Sequence, residues 1–133
     1  MRLAIEPINR YETTLVTCAA DGLELIERTG ATNVGLLLDT FHMNIEERSI
    51  EGAIRRCGAR IFHFHVADSN RGYPGSGHLD FRRIIAALAD TGYDGFVSGE
   101  FIPQGSPERA AELTIRNLRA ACEGSRLAVT VSP

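Results

Sequence analysis

The sequence lacks the features that mark membrane-spanning and secreted proteins. No apolar run among its 133 residues approaches the roughly 20 residues that a helix needs to cross a bilayer. The first residues, MRLAIEPINR, contain no long apolar core of the kind that signal peptides have, since Glu6 interrupts their only apolar run. These absences predict a cytoplasmic protein that does not enter a membrane.

Basic clusters and paired cysteines are also missing. The formal net charge is −3 and the basic residues are scattered, so we expect no basic face of the kind that binds nucleic acid. Cys18, Cys57 and Cys122 are far apart and form no C-x-x-C pair. We therefore expect free thiols in a reducing compartment and no catalytic cysteine.

A regular alternation of strand-like and helix-like segments fills the chain. Four short apolar runs are predicted to form strands, at 2–6, 33–39, 60–66 and 95–100. Each precedes a segment with helical spacing of apolar residues, at 19–30, 49–58, 79–92 and 106–124. Asp80 and Ser106 are suited to begin the last two helices, and a glycine closes each of the four segments.

Nearly continuous apolar strands, each followed by a helix, indicate an α/β fold with a parallel sheet covered by helices. The open sheet of dinucleotide-binding proteins should carry G-x-G-x-x-G after its first strand, whereas PINRYETT follows here, without any glycine. The closed (β/α)8 TIM barrel is therefore favoured over the Rossmann fold. Four βα units amount to half of such a barrel.

Every predicted strand carries a potential metal ligand at its carboxyl end: Glu6, Asp39, His65 and Glu100. They recur at intervals close to the roughly 31 residues that one unit occupies in a barrel of about 250 residues, and barrel enzymes keep their active sites at this end. Converging carboxylates would repel one another and resist burial unless a divalent cation neutralised them. Three carboxylates with one imidazole predict Mn²⁺, Co²⁺ or Mg²⁺ rather than Zn²⁺.

Two histidines in the third strand, His63 and His65, are two residues apart and so point to the same face. His65 lies where the strand gives way to a loop and is the predicted ligand. His63 lies one layer deeper and is predicted to pack beneath it.

Four stretches resemble motifs of the xylose-isomerase-like TIM-barrel superfamily of sugar phosphate isomerases and epimerases: IEPINRYE, LDTFHMNIEE, HFHVADSNRGYPGSGHLDF and GYDGFVSGEF. The similarity is greatest to the ketose 3-epimerases that act on D-tagatose and D-psicose. It covers nearly the whole chain and matches the C-terminal half of that barrel. The resemblance thus implies a half TIM barrel over residues 1–124, followed by a C-terminal tail at 125–133.

Roles for individual residues follow from the same resemblance. It implies that the four strand-end residues hold one divalent ion, typically Mn²⁺, and that Glu6 and Glu100 also serve as acid and base. Positions that contact substrate oxygens in those enzymes match three residues here: Glu12, His42 and Arg71. Arg71 has an alternative role as the partner of Asp68 in its own loop. His78 is predicted to be a surface residue.

The reaction implied by the resemblance inverts a carbon beside a ketose carbonyl. The metal would polarise neighbouring oxygens and stabilise an enediolate, while one glutamate removes a proton and the other returns it from the opposite face. Two alternatives remain. One is a hydroxypyruvate isomerase-like or inosose dehydratase-like enzyme, and the other is a truncated half-barrel that binds metal or sugar without catalysis. An endonuclease IV-like role would need more histidine ligands and a basic surface.

A half-barrel leaves two strand edges and an apolar face uncovered, and proteins bury such surfaces. We expect a homodimer, in which the first strand of each chain pairs with the fourth strand of the other, or a partner half-barrel that completes the fold. The remaining partner expected is a small sugar substrate, with no nucleic acid and no membrane.

Overall fold

The computed structural model describes residues 1–125, which form a four-stranded parallel sheet with helices between the strands. The strands lie side by side in chain order: β1 (Leu3–Ile5), β2 (Val34–Asp39), β3 (Ile61–Val66) and β4 (Val97–Gly99). The helices are α1 (Ala19–Thr29), α2 (Thr40–Glu46), α3 (Ile50–Cys57), α4 (Phe81–Asp90) and α5 (Pro107–Cys122). The predicted parallel α/β fold is confirmed. The predicted tail lies outside the described residues, except for Ser125.

The core lies between the sheet and its helices because alternate strand residues are apolar and face the same way. Leu36 and Leu38 of β2 and Phe64 and Val66 of β3 are fully buried. Apolar residues of the surrounding helices complete this cluster: Ile26, Ile54, Ile85 and Leu88. The strand side chains that alternate with these core residues include the predicted ligands Asp39 and His65.

Helix ends carry the residues predicted for them. Asp80 caps α4, because its Oδ1 accepts hydrogen bonds from the backbone N–H groups of Arg82 and Arg83. Gly30 follows α1 with a φ of +66°, a left-handed conformation that residues with a Cβ rarely adopt. Such local signals fix where the helices begin and end.

One helix is missing from the sequence-based prediction, which places a single helix after β2. The structure has two, because α2 begins at Thr40, directly after the strand. Oδ1 of Asp39 accepts a hydrogen bond from the backbone N–H of Phe41 at 2.7 Å and caps this helix. The sequence does not reveal this helix, because its cap, Asp39, is also the last residue of a strand and so gives no separate start signal. The helix holds His42 close to Asp39.

A register shift between β2 and β3 positions the two histidines. Leu37 pairs with His63 and Asp39 pairs with His65, whereas Phe62 is skipped by the ladder. Parallel neighbours in register share a face of the sheet. Asp39 and His65 are therefore adjacent at its carboxyl edge.

Within residues 1–125, β1 and β4 are the two edges of the sheet. Large apolar side chains near both edges are exposed: Leu3 is 51% exposed in β1, and Phe96 is 77% exposed just before β4. No helix in this part of the chain is long and apolar enough to cross a membrane.

Candidate metal centre

The four predicted strand-end ligands lie together at the carboxyl edge of the sheet. Ligand atoms of Glu6, Asp39, His65 and Glu100 are all within 4.8 Å of one another. Glu6 and Glu100 directly follow β1 and β4, Asp39 ends β2, and His65 is the penultimate residue of β3. Four separate βα units thus contribute one side chain each. The structure brings these residues together, and their role as metal ligands remains a prediction.

Glu6 is the least satisfied carboxylate of the group. Its Oε1 is buried and has no hydrogen-bond partner among the described residues. It lies 4.0 Å from Nδ1 of His65. Burial raises the pKa of Glu6, and the charges of Glu100 and Asp39 raise it further. A buried oxygen beside two other carboxylates is costly without a positive charge nearby.

Arg71 provides a positive charge to the other two carboxylates. Its Nη1 donates to Oδ2 of Asp39 at 2.7 Å, and its Nη2 donates to Oε2 of Glu100 at 2.8 Å. The guanidinium also lies over the ring of Phe41, with 4.8 Å between Cζ and the ring centroid. The side chain therefore pairs with the predicted ligands rather than with Asp68.

The loop that carries Arg71 is built around Asp68, which is fully buried. Oδ1 of Asp68 accepts hydrogen bonds from the backbone N–H groups of Ser69 at 2.8 Å and Leu79 at 3.1 Å, and its Oδ2 accepts one from Gly75 at 2.7 Å. Burial raises the pKa of Asp68, but the hydrogen bonds from these backbone donors outweigh it and hold the pKa below its ordinary value. One carboxylate thus fixes both ends of the loop.

The donor set fits a divalent ion. Glu6, Asp39 and Glu100, when ionised, exceed the single positive charge of Arg71 by two, which is the charge of such an ion. Carboxylate oxygens with one imidazole suit Mn²⁺ and related hard cations. The unpartnered oxygen of Glu6 gives such an ion an oxygen that no other described group uses.

His42 and Glu12, the other two predicted substrate contacts, meet at Asn9. The side-chain nitrogen of Asn9 lies 2.7 Å from Oε1 of Glu12 and 2.8 Å from Nδ1 of His42. Its side-chain oxygen accepts a hydrogen bond from the backbone N–H of Tyr11 at 3.0 Å, which fixes the orientation of the amide. Because the amide nitrogen only donates, Nδ1 of His42 accepts, and a neutral ring carries its proton on Nε2.

His42 is suited to stay neutral in this position. It is only 4% exposed, and burial lowers its pKa, against the effect of the nearby carboxylate of Asp39. A neutral ring with its proton on Nε2 can donate a hydrogen bond to an oxygen. Glu12 is exposed, and its carboxylate retains capacity to accept from a hydroxyl.

The sequence-based prediction does not include Asn9, although it lies within the motif IEPINRYE. The residue is 1% exposed. The signal available is an asparagine in an irregular segment, a residue type that often bonds its own backbone two positions further on. Its contact with Tyr11 is of that kind. The contact with His42, which is distant in sequence, carries no local signal.

His63, His78 and the three cysteines lie outside the cluster of predicted ligands and substrate contacts. His63 is half-buried and its ring lies edge-on to that of His65, with 4.8 Å between centroids. His78 is exposed, and its Nδ1 lies 2.8 Å from Oγ of Ser69. The cysteines are free thiols. Cys57 is buried, and burial raises its pKa to about 11, so this thiol is protonated at neutral pH.

Comparison with protein families and curated proteins finds sugar epimerases among the relatives of this chain. The family model described as xylose isomerase-like TIM barrel matches residues 1–121. L-ribulose 3-epimerase of Mesorhizobium japonicum is 47% identical over 91 residues, which are 68% of this chain and 31% of that protein. D-psicose 3-epimerase of Ruminiclostridium cellulolyticum is 45% identical over 93 residues, 70% of this chain and 32% of that protein. The chain thus spans about a third of the length of these curated relatives.

Solved structures show the same partial match. The 3-keto-D-glucoside 4-epimerase from E. coli has a TM-score of 0.86 and 32% identity, over 90% of this chain and 46% of that one. A D-psicose 3-epimerase crystallised in the presence of D-fructose has a TM-score of 0.79 and 34% identity, over 95% and 48% of the two chains. The four βα units therefore correspond to just under half of a TIM-barrel epimerase, as predicted.

Proposed function

The chain belongs to the xylose isomerase-like TIM barrel family, and we propose that it is the metal-binding half of a sugar epimerase. The proposed enzyme is of the ketose 3-epimerase kind. Its relatives include enzymes named for the epimerisation of L-ribulose and D-psicose. The observation that carries the proposal is the convergence of three carboxylates and one imidazole within 4.8 Å. Mn²⁺ is the proposed ion, and Co²⁺ or Mg²⁺ are alternatives of similar ligand preference.

Glu6, Asp39, His65 and Glu100 would hold the ion. When bound, it would supply positive charge that polarises the substrate oxygens beside the reacting carbon. Arg71 and the ion together would balance the charge of the three carboxylates.

Glu6 and Glu100 come from opposite ends of the sheet, because they follow the two outermost strands, β1 and β4. A substrate carbon between them would meet one glutamate on each face. One glutamate would take the proton next to the carbonyl, and the other would return a proton from the opposite side, which inverts the carbon.

His42 and Glu12 would orient the sugar. The Nε2–H of His42 would donate to a substrate oxygen, while the exposed carboxylate of Glu12 would accept a hydrogen bond from a hydroxyl. The side-chain nitrogen of Asn9 contacts both side chains, and its backbone N–H also donates to Nδ1 of His42 at 3.4 Å. A single buried residue thereby sets the spacing of two substrate contacts.

Solvent exchange at the substrate tests the proposal directly. The chain, freed of metal and reloaded with Mn²⁺, is incubated with D-psicose or D-fructose in D₂O. The ion is removed with chelator before the spectrum is recorded, because Mn²⁺ is paramagnetic and broadens the signals. We expect the proton on carbon 3 to be lost from sugar incubated with Mn²⁺ and to remain in sugar incubated with a chelator throughout. Hydroxypyruvate, followed in parallel, reports the hydroxypyruvate isomerase alternative. Mn²⁺ binding without exchange on D-psicose or D-fructose would contradict the epimerase.

The second candidate is a half-barrel that binds metal or sugar without turnover. It is favoured by the exposure of the site, since the side chain of Glu100 is 48% exposed, and by the match to under half of each solved epimerase. A water-accessible site stabilises developing charge less well than an enclosed one. Elemental analysis showing one ion per chain, together with no exchange in D₂O, would identify this candidate.

A further inference from the structure

We propose that Arg71 is a built-in competitor of the divalent ion, which must share or take over the two carboxylates that the guanidinium holds. Arg71 would thus stabilise the ion-free chain and set the affinity of the site for metal. The inference goes beyond substrate contact, the role that family resemblance implies for this residue. It rests on the proposed metal site.

The contact itself is specific. Two nitrogens of the planar guanidinium reach two different carboxylates, Oδ2 of Asp39 at 2.7 Å and Oε2 of Glu100 at 2.8 Å. Both carboxylates belong to the cluster of potential ligands. A forked, charge-assisted arrangement of this kind is stronger and more directional than a single ion pair.

The backbone is strained in a way that aims Arg71 at the cluster. Its φ of +59° is the only positive value at a non-glycine residue in the described part of the chain, and such a conformation is unfavourable for a side chain of this size. Two backbone hydrogen bonds hold Arg71 in this conformation. Its N–H donates to the carbonyl of Asp68 at 2.9 Å, and its carbonyl accepts from the N–H of Ile102 at 2.8 Å. Strain that the surrounding structure enforces points to function.

The buried negative charge of Asp39 explains why a cation is needed beside it. The side chain of Asp39 is 0% exposed, so its carboxylate would be uncompensated if Arg71 were removed and no ion were bound. Conversely, an ion ligated by Asp39 and Glu100 would lie close to the guanidinium and repel it. Two cations that use the same carboxylates each weaken the binding of the other, and this coupling is reciprocal.

Calorimetric titration of the chelator-treated chain with Mn²⁺ tests the proposal without relying on catalysis. We expect Arg71→Gln to bind Mn²⁺ roughly tenfold more tightly than the wild type, within the range typical of coupled sites. The metal-free variant should melt at a lower temperature than the metal-free wild type. Saturating Mn²⁺ should remove most of that difference in melting temperature.

Two further variants separate the forked contact from simple charge. Arg71→Lys keeps the charge but loses the fork, so its Mn²⁺ affinity should fall between those of the wild type and Arg71→Gln. Arg55→Gln removes an arginine–carboxylate pair away from the cluster, in which Nε and Nη2 of Arg55 lie 3.0 Å and 2.9 Å from one oxygen, Oδ2 of Asp90. This control should leave Mn²⁺ affinity unchanged.

The outcomes distinguish this inference from the proposed function. If the wild type binds Mn²⁺ and Arg71→Gln binds it equally or more weakly, the competition is refuted while the metal site stands. An Arg71→Lys variant with wild-type affinity would refute the forked contact as the cause. If neither the wild type nor Arg71→Gln binds Mn²⁺, both the inference and the metal site fail.

Discussion

The carboxylate of Asp39 accepts a hydrogen bond from the backbone N–H of Phe41 across 2.7 Å, so a predicted metal ligand is also the cap of the next helix. Its other oxygen faces Arg71 at 2.7 Å. One side chain therefore serves the strand end, the helix start and the charge cluster. These roles can be separated, because capping needs an oxygen acceptor while metal binding also needs the charge.

Asp39→Asn and Asp39→Ala should differ in stability and agree in metal binding. Asparagine caps helices about as well as aspartate, whereas alanine at this position costs typically about 1 kcal/mol. Urea unfolding should therefore rank the metal-free variants with Asp39→Asn above Asp39→Ala. Titration should show that both lose most Mn²⁺ affinity. Wild-type Mn²⁺ affinity in Asp39→Asn would show that Asp39 is not a ligand.

Asn9→Ala should destabilise the chain and release His42. The substitution removes the 2.8 Å side-chain donor of the buried His42 ring and leaves only the longer contact from the backbone N–H of residue 9, at 3.4 Å. This loss costs about 1–3 kcal/mol. Urea unfolding measures this loss, and nitrogen NMR should show His42 changing from a single tautomer to a mixture. Asn33→Ala is the matched control, because Asn33 is exposed and its side-chain nitrogen donates to the carbonyl of Met1, while its other hydrogen bond is made by its backbone carbonyl and is kept. Equal losses for the two variants would refute the special role of Asn9.

The sequence predicts which four strand-end residues form the cluster, because the signals that mark them are local. Apolar runs that end in an acidic residue or a histidine mark the strand ends, and parallel order then brings Glu6, Asp39, His65 and Glu100 to one edge. The prediction that His65 and not His63 is in the cluster also depends only on strand length. The structure places all of these as predicted, and the identity of the ion stays a prediction.

The parts that sequence reasoning misses depend on contacts between distant residues. Helix α2 begins at a cap supplied by a strand, so no separate start signal precedes it. Asn9 reaches His42 across a long sequence separation. For Arg71, the sequence leaves open substrate contact or pairing with Asp68, and it does not reveal the contacts with Asp39 and Glu100. Backbone donors already satisfy Asp68, which no local sequence signal shows.

Asp68→Asn should destabilise the loop in a pH-dependent manner. The folded pKa of Asp68 lies below its unfolded value of about 3.9. The stability that its ionised carboxylate contributes is therefore fully present above that value and is lost as the pH falls through the folded pKa. Asparagine would also turn an NH₂ group toward a backbone donor. We expect a loss of about 1–3 kcal/mol at neutral pH, which shrinks in acid.

Urea unfolding at several pH values measures the effect of Asp68→Asn. Asp80→Asn is the matched control, because Asp80 is exposed and asparagine serves equally well as a helix cap. Its free energy of unfolding should stay close to that of the wild type at every pH. A pH-independent loss in Asp68→Asn would contradict the role of the ionised carboxylate.

Glu100→Gln should abolish any isotope exchange at the substrate carbon, because it removes both a proton-transfer group and a ligand charge. A loss of at least roughly a hundredfold is expected for a group that transfers a proton. His78→Ala should leave exchange nearly unchanged, since the side chain is exposed and bonds Ser69. NMR in D₂O measures both variants. Comparable losses would mean that the site is misplaced.

The open edges of the sheet predict that two chains associate through them. Leu3 and Phe96 are 51% and 77% exposed, beside β1 and β4 respectively, and unpaired strand edges invite pairing with another chain. We expect a dimer of about twice 14.5 kDa at micromolar concentration by light scattering, unless a partner half-barrel takes its place. An interface that closes a barrel should exceed roughly 2,000 Å².

A charge placed at the edge distinguishes this dimer from nonspecific association. Leu3→Asp puts a carboxylate where the first strand of one chain would meet the fourth strand of the other, so it should shift the chain toward monomer. Leu15→Asp changes a leucine that is 83% exposed outside the sheet and should leave the mass unchanged. Each pair of metal sites would share one barrel mouth, and their carboxylates would repel. Saturating Mn²⁺ should therefore tighten the dimer, and a wild-type monomer that unfolds cooperatively with or without Mn²⁺ would refute closure by self-association.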